Sequence, residues 1–292
     1  MAFEIWQVGG IRITRIPELN RIPGMKGLLP DATPAALAPI DWLRPHFVSA
    51  DGKLNASIHA FVVEADDRCI LVDTCVGNDK PRSYAGWDRM QGPFLERLRA
   101  AGYVPERIDT VLCTHMHVDH VGWNTRWQDD HWVPTFPQAR YLFGRTEYAH
   151  WLGASREAPD EDGLDHGQVL ADSVQPVLDA GLATFVEAPF EVCAGVSLLP
   201  TPGHTPGHVS VELRSEGIAA FITGDLMHHP CQIARPHWAA TADVDAAVAV
   251  ATRKHILERL TASGELLLGT HFAPPTAGRV VRDGDTFRLV LE

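Results

Sequence analysis

The sequence predicts an α/β (α+β) protein in which two sheets stack face to face with helices outside, and three observations carry that prediction. Short β-like runs come in two rounds, each followed by a helical pattern. The chain has 292 residues, 45% of them hydrophobic, enough to bury a large core. Polar, metal-competent side chains recur just after apolar runs, at strand ends where sites collect.

The first round comprises "EIWQVGGIRITRI", "SIHAFVVEA", "RCILVDTC" and "TVLCTH", with Ala65, Asp66, Asp67 and Arg68 as a hairpin turn between the second and third runs. Between "LVDTC" and "TVLCTH", Phe94, Leu95, Leu98 and Ala101 fall at helical spacing, and Gly102 stands where a C-terminal cap belongs. The second round is "ARYLFG", "FVEAP", "VSLLPTPGH", "HVSVELRS" and "AAFITGD", followed by an amphipathic helix from about Asp243 to Ser263 that Gly264 closes. "ELLLGTH" and a hairpin with Asp283 and Gly284 as its turn finish the chain. Residues 1–292 are read as a single domain with two additions. One is a Pro-rich N-terminal arm from about Pro17 to Pro45, expected as a long ordered loop and a candidate homodimer contact. The other is an inserted segment from about Trp151 to Gly181, with a short helix and the acidic "EAPDEDGLD" as a solvated loop.

Composition narrows the function. A formal charge of -12 with no block of Lys or Arg disfavours nucleic acid as a partner. The start lacks a basic leader and no run approaches about 18 uninterrupted apolar residues, so the protein is expected in the cytoplasm, without membrane attachment. Cys69, Cys75, Cys113, Cys193 and Cys231, odd in number and without a CxxC pair, read as reduced core residues.

Chemistry concentrates in "CTHMHVDHVGW", where His115, His117, Asp119 and His120 occupy six positions. On an extended backbone, positions 115, 117 and 119 point one way, and position 120 joins them if a helix starts there. Without a cation, several imidazole nitrogens and a carboxylate would each need a partner in a confined place, so the pattern reads as a metal site. Three fragments extend it: His204 on the turn of "LPTPGHTPGH", Asp225 in "FITGDLMHHP" and His271 in "LLLGTHFAPP".

With HxHxDH, the later GHTPGH histidine, an aspartate after a buried strand and a final GTH, the chain resembles the metallo-β-lactamase-fold hydrolases over nearly its whole length. The resemblance implies a four-layer αββα sandwich with a two-metal site at one edge. It assigns His115, His117 and His204 to one metal, Asp119, His120 and His271 to the other, and Asp225 as the bridge. Such donors suit zinc and also accept iron, manganese or cobalt. An all-N/O set is similar to the lactonase, phosphotriesterase, glyoxalase II and tRNA-processing branches; the zinc β-lactamases would carry Cys at 225. The implied chemistry is attack by a bridging hydroxide between metals about 3.5 to 4 Å apart, with Asp119 or Asp225 passing a proton to the leaving alkoxide.

The resemblance sets expectations for the neighbours. Asp73 and His208 are expected to orient ligands rather than bind metal. In the acyl-homoserine lactonases a tyrosine follows the bridging aspartate and stabilises the oxyanion; here His228 and His229 stand there, and His228 is either a substitute donor or an ordinary loop histidine. Trp123, Trp127, Trp132, Trp151, Trp238 and Phe272 are core residues or pocket walls. The expected activity is hydrolysis of a small apolar lactone or ester, acyl-homoserine lactones included. The alternative is an aryl phosphotriester or aryl ester hydrolase of the methyl parathion hydrolase type. A tRNase Z-like nuclease is disfavoured by the acidic balance without a basic arm, and a glyoxalase II-like thioesterase by the strand hairpin read where that family carries a helical substrate domain.

Overall fold

Strands rich in Val, Ile and Phe build two seven-stranded sheets in the computed structural model, which describes residues 2–23, 25, 27–155 and 165–292. The first sheet holds β1 (Ile5–Val8), β2 (Ile11–Pro23), β3 (Asn55–Ala65), β4 (Arg68–Val72) and β5 (Thr110–Leu112). A separate hairpin, β6 (Thr125–Gln128) and β7 (His131–Pro134), precedes its last two strands, β8 (Arg140–Gly144) and β9 (Ala183–Val186). The second sheet runs in sequence order through β10 (Phe190–Cys193), β11 (Val196–Pro200), β12 (Val209–Ser215), β13 (Ile218–Ile222), β14 (Leu266–Leu268), β15 (Ala277–Asp283) and β16 (Thr286–Leu291). The helices are α1 (Pro34–Leu37), α2 (Phe94–Ala100), α3 (Arg145–Ala154), α4 (His166–Ser173), α5 (Gln175–Asp179), α6 (Cys231–Ala234) and α7 (Ala246–Ser263).

Apolar contact divides into three layers of core, which makes the architecture αββα. Between the sheets, Ile13, Phe61, Val63, Ile70 and Leu112 meet Val196, Val211, Leu213, Ala220 and Leu268. Behind the first sheet, Leu71, Val111 and Tyr141 pack on Phe94 and Leu98 of α2 and Val177 of α5. Behind the second, Phe221 and Leu267 pack on Ile256, Leu257 and Leu260 of α7. The β3–β4 turn needs φ > 0 at both central residues, which Asp66 (50°) and Asp67 (58°) supply. Helix α7 is capped by Asp245, which accepts from Val248 N, and ends at Gly264 with φ of 66°.

Several expectations are corrected. "ARYLFG" and "FVEAP" complete the first sheet as β8 and β9, in parallel pairing after β5, and do not open the second. The arm does not start at Pro17, because β2 continues to Pro23. Strand β1 pairs with β2 only as far as Thr14, so beyond it β2 is an edge on that side, where missing N–H groups are tolerated. The rest of the arm is more than loop: it contains α1 and a 3-10 turn, and buries Leu29, Leu37 and Leu43 in the core behind the second sheet. Trp151 lies inside α3, which begins at Arg145, and the described part of the insert forms α4 and α5. All but Asp165 of the acidic run falls outside the described residues. The last hairpin turns on Gly284 and Asp285, since Asp283 pairs with Thr286. No helix among the described residues is long and apolar enough to cross a membrane.

Candidate metal centre

The motif loop leaves β5 beside the end of β4, where Asp73 sits at φ of 58° with its N–H on Leu112 O. The Asp73 carboxylate accepts from Thr114 N at 2.7 Å, Thr114 Oγ1 at 2.9 Å and His120 Nδ1 at 2.9 Å. Since Thr114 Oγ1 gives its proton to Asp73, it accepts from His115 Nδ1, 3.1 Å away. One carboxylate thus orients two imidazoles, as expected of Asp73. Gly122 ends the loop where a Cβ would lie 1.9 Å from Val76 O, so only glycine lets the two backbones cross.

Three strand ends of the second sheet supply the other donors. His204 follows β11 on a turn whose Gly203 packs on the α7 backbone, and its Nδ1 donates to Asp243 Oδ1 at 2.9 Å. Asp225 follows β13, and its N–H donates to His208 Nε2 at 2.8 Å, which makes His208 a brace of the ligand's backbone. His271 follows β14 and donates from Nδ1 to Ser57 O at 3.0 Å. With each Nδ1 proton committed outward, the Nε2 lone pairs of His115, His120, His204 and His271 turn inward. His117 is reversed: its Nδ1 faces His115 Nε2 at 3.0 Å and His204 Nε2 at 2.9 Å.

The seven donors form two groups, His115, His117, His204 and Asp225, and Asp119, His120 and His271, with the ligand atoms of each within 4.8 Å of one another. Asp225 faces both: its Oδ2 is 3.4 Å from His204 and its Oδ1 3.1 Å from His271. Burial lowers the pKa of His115, His117 and His204 well below the usual histidine value, which leaves lone pairs free. Burial opposes charge on His120 and His271 too, but Asp225 outweighs it with Asp73 or Asp119, raising His120 well above normal and His271 to about 9. Asp225, although buried, is held well below the carboxylate range by His120, His271, His228 and His115. Asp225 Oδ1 is buried and has no hydrogen-bond partner. The lone-pair nitrogens of His115, His117 and His204, converging beside a buried carboxylate with an unpartnered oxygen, fit a cation. His117 and Asp119 are the only two of the seven that are not fully buried, and they mark the open side.

His228 lies inside the cluster and is not a surface loop residue: its Nε2 is 3.1 Å from Asp225 Oδ2, its ring is parallel to His271, and its buried Nδ1 has no hydrogen-bond partner. His229 turns away to Phe47 O. Of the six aromatic candidates, Trp151 is a core residue that also stands against a ligand, 5.0 Å from the His117 ring. Trp123, Trp238 and Phe272 are core, and Trp127 is 46% exposed beside Trp132. Two buried acids escaped sequence reasoning. Glu147 on α3 accepts from Met116 N, Trp151 Nε1, Thr205 Oγ1 and Gly207 N, tying the motif loop to the His204 turn. Asp243 stands behind His204 but reads in sequence as the start of a helix.

The Metallo-beta-lactamase superfamily model matches residues 56–268. An N-acyl homoserine lactonase of Bacillus thuringiensis is 26% identical over 196 residues, 63% of this chain and 69% of that protein. Among solved structures, AidC, a dizinc quorum-quenching lactonase in complex with a product, superposes with a TM-score of 0.81 at 22% identity, covering 100% of this chain and 97% of that one. The hydrolase AbOPH of the beta lactamase superfamily gives a TM-score of 0.81 at 25% identity, with 99% and 97% covered.

Proposed function

The chain belongs to the metallo-beta-lactamase superfamily, and from that premise we propose that it is a two-metal hydrolase that opens a small lactone. The observation that carries the reading is the pair of donor groups with Asp225 facing both. His115, His117 and His204 would hold one zinc ion, Asp119, His120 and His271 the other, and Asp225 both. Bound there, the ions supply Lewis acidity toward the substrate oxygen and a water acidic enough to serve as nucleophile near neutral pH.

The chain's own residues do the rest. Asp119, partly exposed on the open side, would take a proton from the nucleophile and return it to the leaving alkoxide. His228, whose Nε2 lies 3.1 Å from Asp225 Oδ2, is the candidate donor to the substrate oxygen. Trp151 packs against the His117 ring. A lactone is favoured over other esters because the matched relatives include N-acyl homoserine lactonases.

Proton release by the zinc-loaded protein tests the reading, with γ- and δ-lactones, acyl-homoserine lactones, aryl esters and an aryl phosphotriester compared side by side. Lactones should turn over fastest. Faster cleavage of the aryl esters or the phosphotriester would replace lactone opening as the function.

A further inference from the structure

A buried carboxylate stands behind each donor group. Asp73 orients His120 and, through Thr114, His115. We propose that Asp243 is its counterpart, a positioning residue that sets His204 for metal binding in the His115, His117 and His204 group; this rests on the two-metal function proposed above.

The Asp243 side chain is buried, with Oδ1 2.9 Å from His204 Nδ1. A carboxylate offers acceptors only, so Nδ1 must hold the proton, and the Nε2 lone pair is left facing His117 Nδ1 at 2.9 Å and Asp225 Oδ2 at 3.4 Å. Rotation of the ring about its own axis would break that bond and turn the lone pair out of the cluster.

Asp243 is itself held from two sides. Its Oδ2 accepts from Ala240 N at 2.9 Å and lies 3.7 Å from Nη2 of Arg253 on α7. Arg253 is fully buried and donates to Leu226 O at 2.7 Å, Pro236 O at 3.0 Å and Trp238 O at 2.9 Å. One guanidinium therefore fixes the turn that carries Asp225 and the loop that carries Asp243, and the ion pair lets both charges stay inside. Backbone bonds from Val244 N to His204 O and from Asp245 N to Gly203 O fasten the same loop to the ligand's turn.

The test compares the full-length wild type with Asp243→Ala, Asp243→Asn and Asp245→Ala. Asp245→Ala removes the α7 cap on the same loop without touching the His204 side chain. Zinc affinity is measured by competition with a chromophoric chelator, and the visible spectrum of the cobalt-loaded protein reports each ion's surroundings. Asp243→Ala should weaken one of two ions by roughly 10- to 100-fold and shift one set of cobalt bands. Asp243→Asn, whose amide oxygen still accepts from Nδ1, should recover part of the loss, and Asp245→Ala should bind as the wild type does. Wild-type affinity in Asp243→Ala, or an equal loss in Asp245→Ala, would overturn the inference and leave the function standing. A wild type that takes up no metal would overturn both.

Discussion

The first sheet delivers His115, His117, Asp119 and His120 on one loop after β5, whereas the second delivers His204, Asp225 and His271 from the ends of β11, β13 and β14. The first set is placed by local backbone geometry and by Asp73, one strand away. The second set is placed only when the sheet has formed from β11 to β14, and each member needs its own brace: Asp243, His208 and Ser57 O. Donors packed into one loop cost little chain entropy to gather, while donors spread along the chain depend on the whole sheet.

Asp225 faces both groups, so removing it should break the comparison most. Asp225→Ala is expected to lose turnover by about 10³-fold or more and to weaken both ions together. Loss of a single ion in a metal titration would show that the halves are independent. Glu147 ties the halves together, and Glu147→Ala leaves three buried donors and one half-buried donor unpaired. That should lower stability by about 4 kcal/mol in urea unfolding; a loss below about 1 kcal/mol would mean the two loops hold themselves.

Glu18 acts under the first half alone, accepting from Val76 N, Gly77 N and Trp123 Nε1. Burial raises its pKa from 4.5 to about 7. The folded state then holds the proton more tightly than the unfolded chain. The stabilisation is complete below about pH 4.5 and is lost as pH climbs to about 7, amounting to roughly 3 kcal/mol. In chelator-treated protein, Glu18→Gln should flatten that part of the stability profile, and an unchanged slope would assign it to other groups. The smallest effect is expected on the β6–β7 hairpin, where Trp127→Ala should cost about 1 kcal/mol from the lost pairing with Trp132 and leave turnover unchanged. A fall in turnover would restore Trp127 as a pocket wall.

The same contrast explains what could be read in advance. The motif loop, the three strand-end donors and the orienting role of Asp73 were legible because each follows an apolar run at a recognisable place. Glu147 and Asp243 were not, since a lone acid in "RTEYAHW" or "ADVDAAV" looks like a solvated helix face or a cap, and only tertiary packing makes it a ligand brace. Strands β8 and β9 were assigned to the wrong sheet because alternation shows that a strand exists but not which neighbour it pairs with. Pro17 hid the continuation of β2, where an edge accommodates what an interior strand would reject.

The parallel pairing of β13 with β14 across α7 also bears on synthesis and quality control. During translation the loop with four donors emerges first, yet neither group is complete until later strands arrive, and the second waits for His271. A chain that stalls or misfolds before β14 docks would keep only part of its grip on an ion. Secure retention of both ions would then mark a molecule that has finished folding, so scarcity of metal and failure of assembly would present to a cell as the same defect.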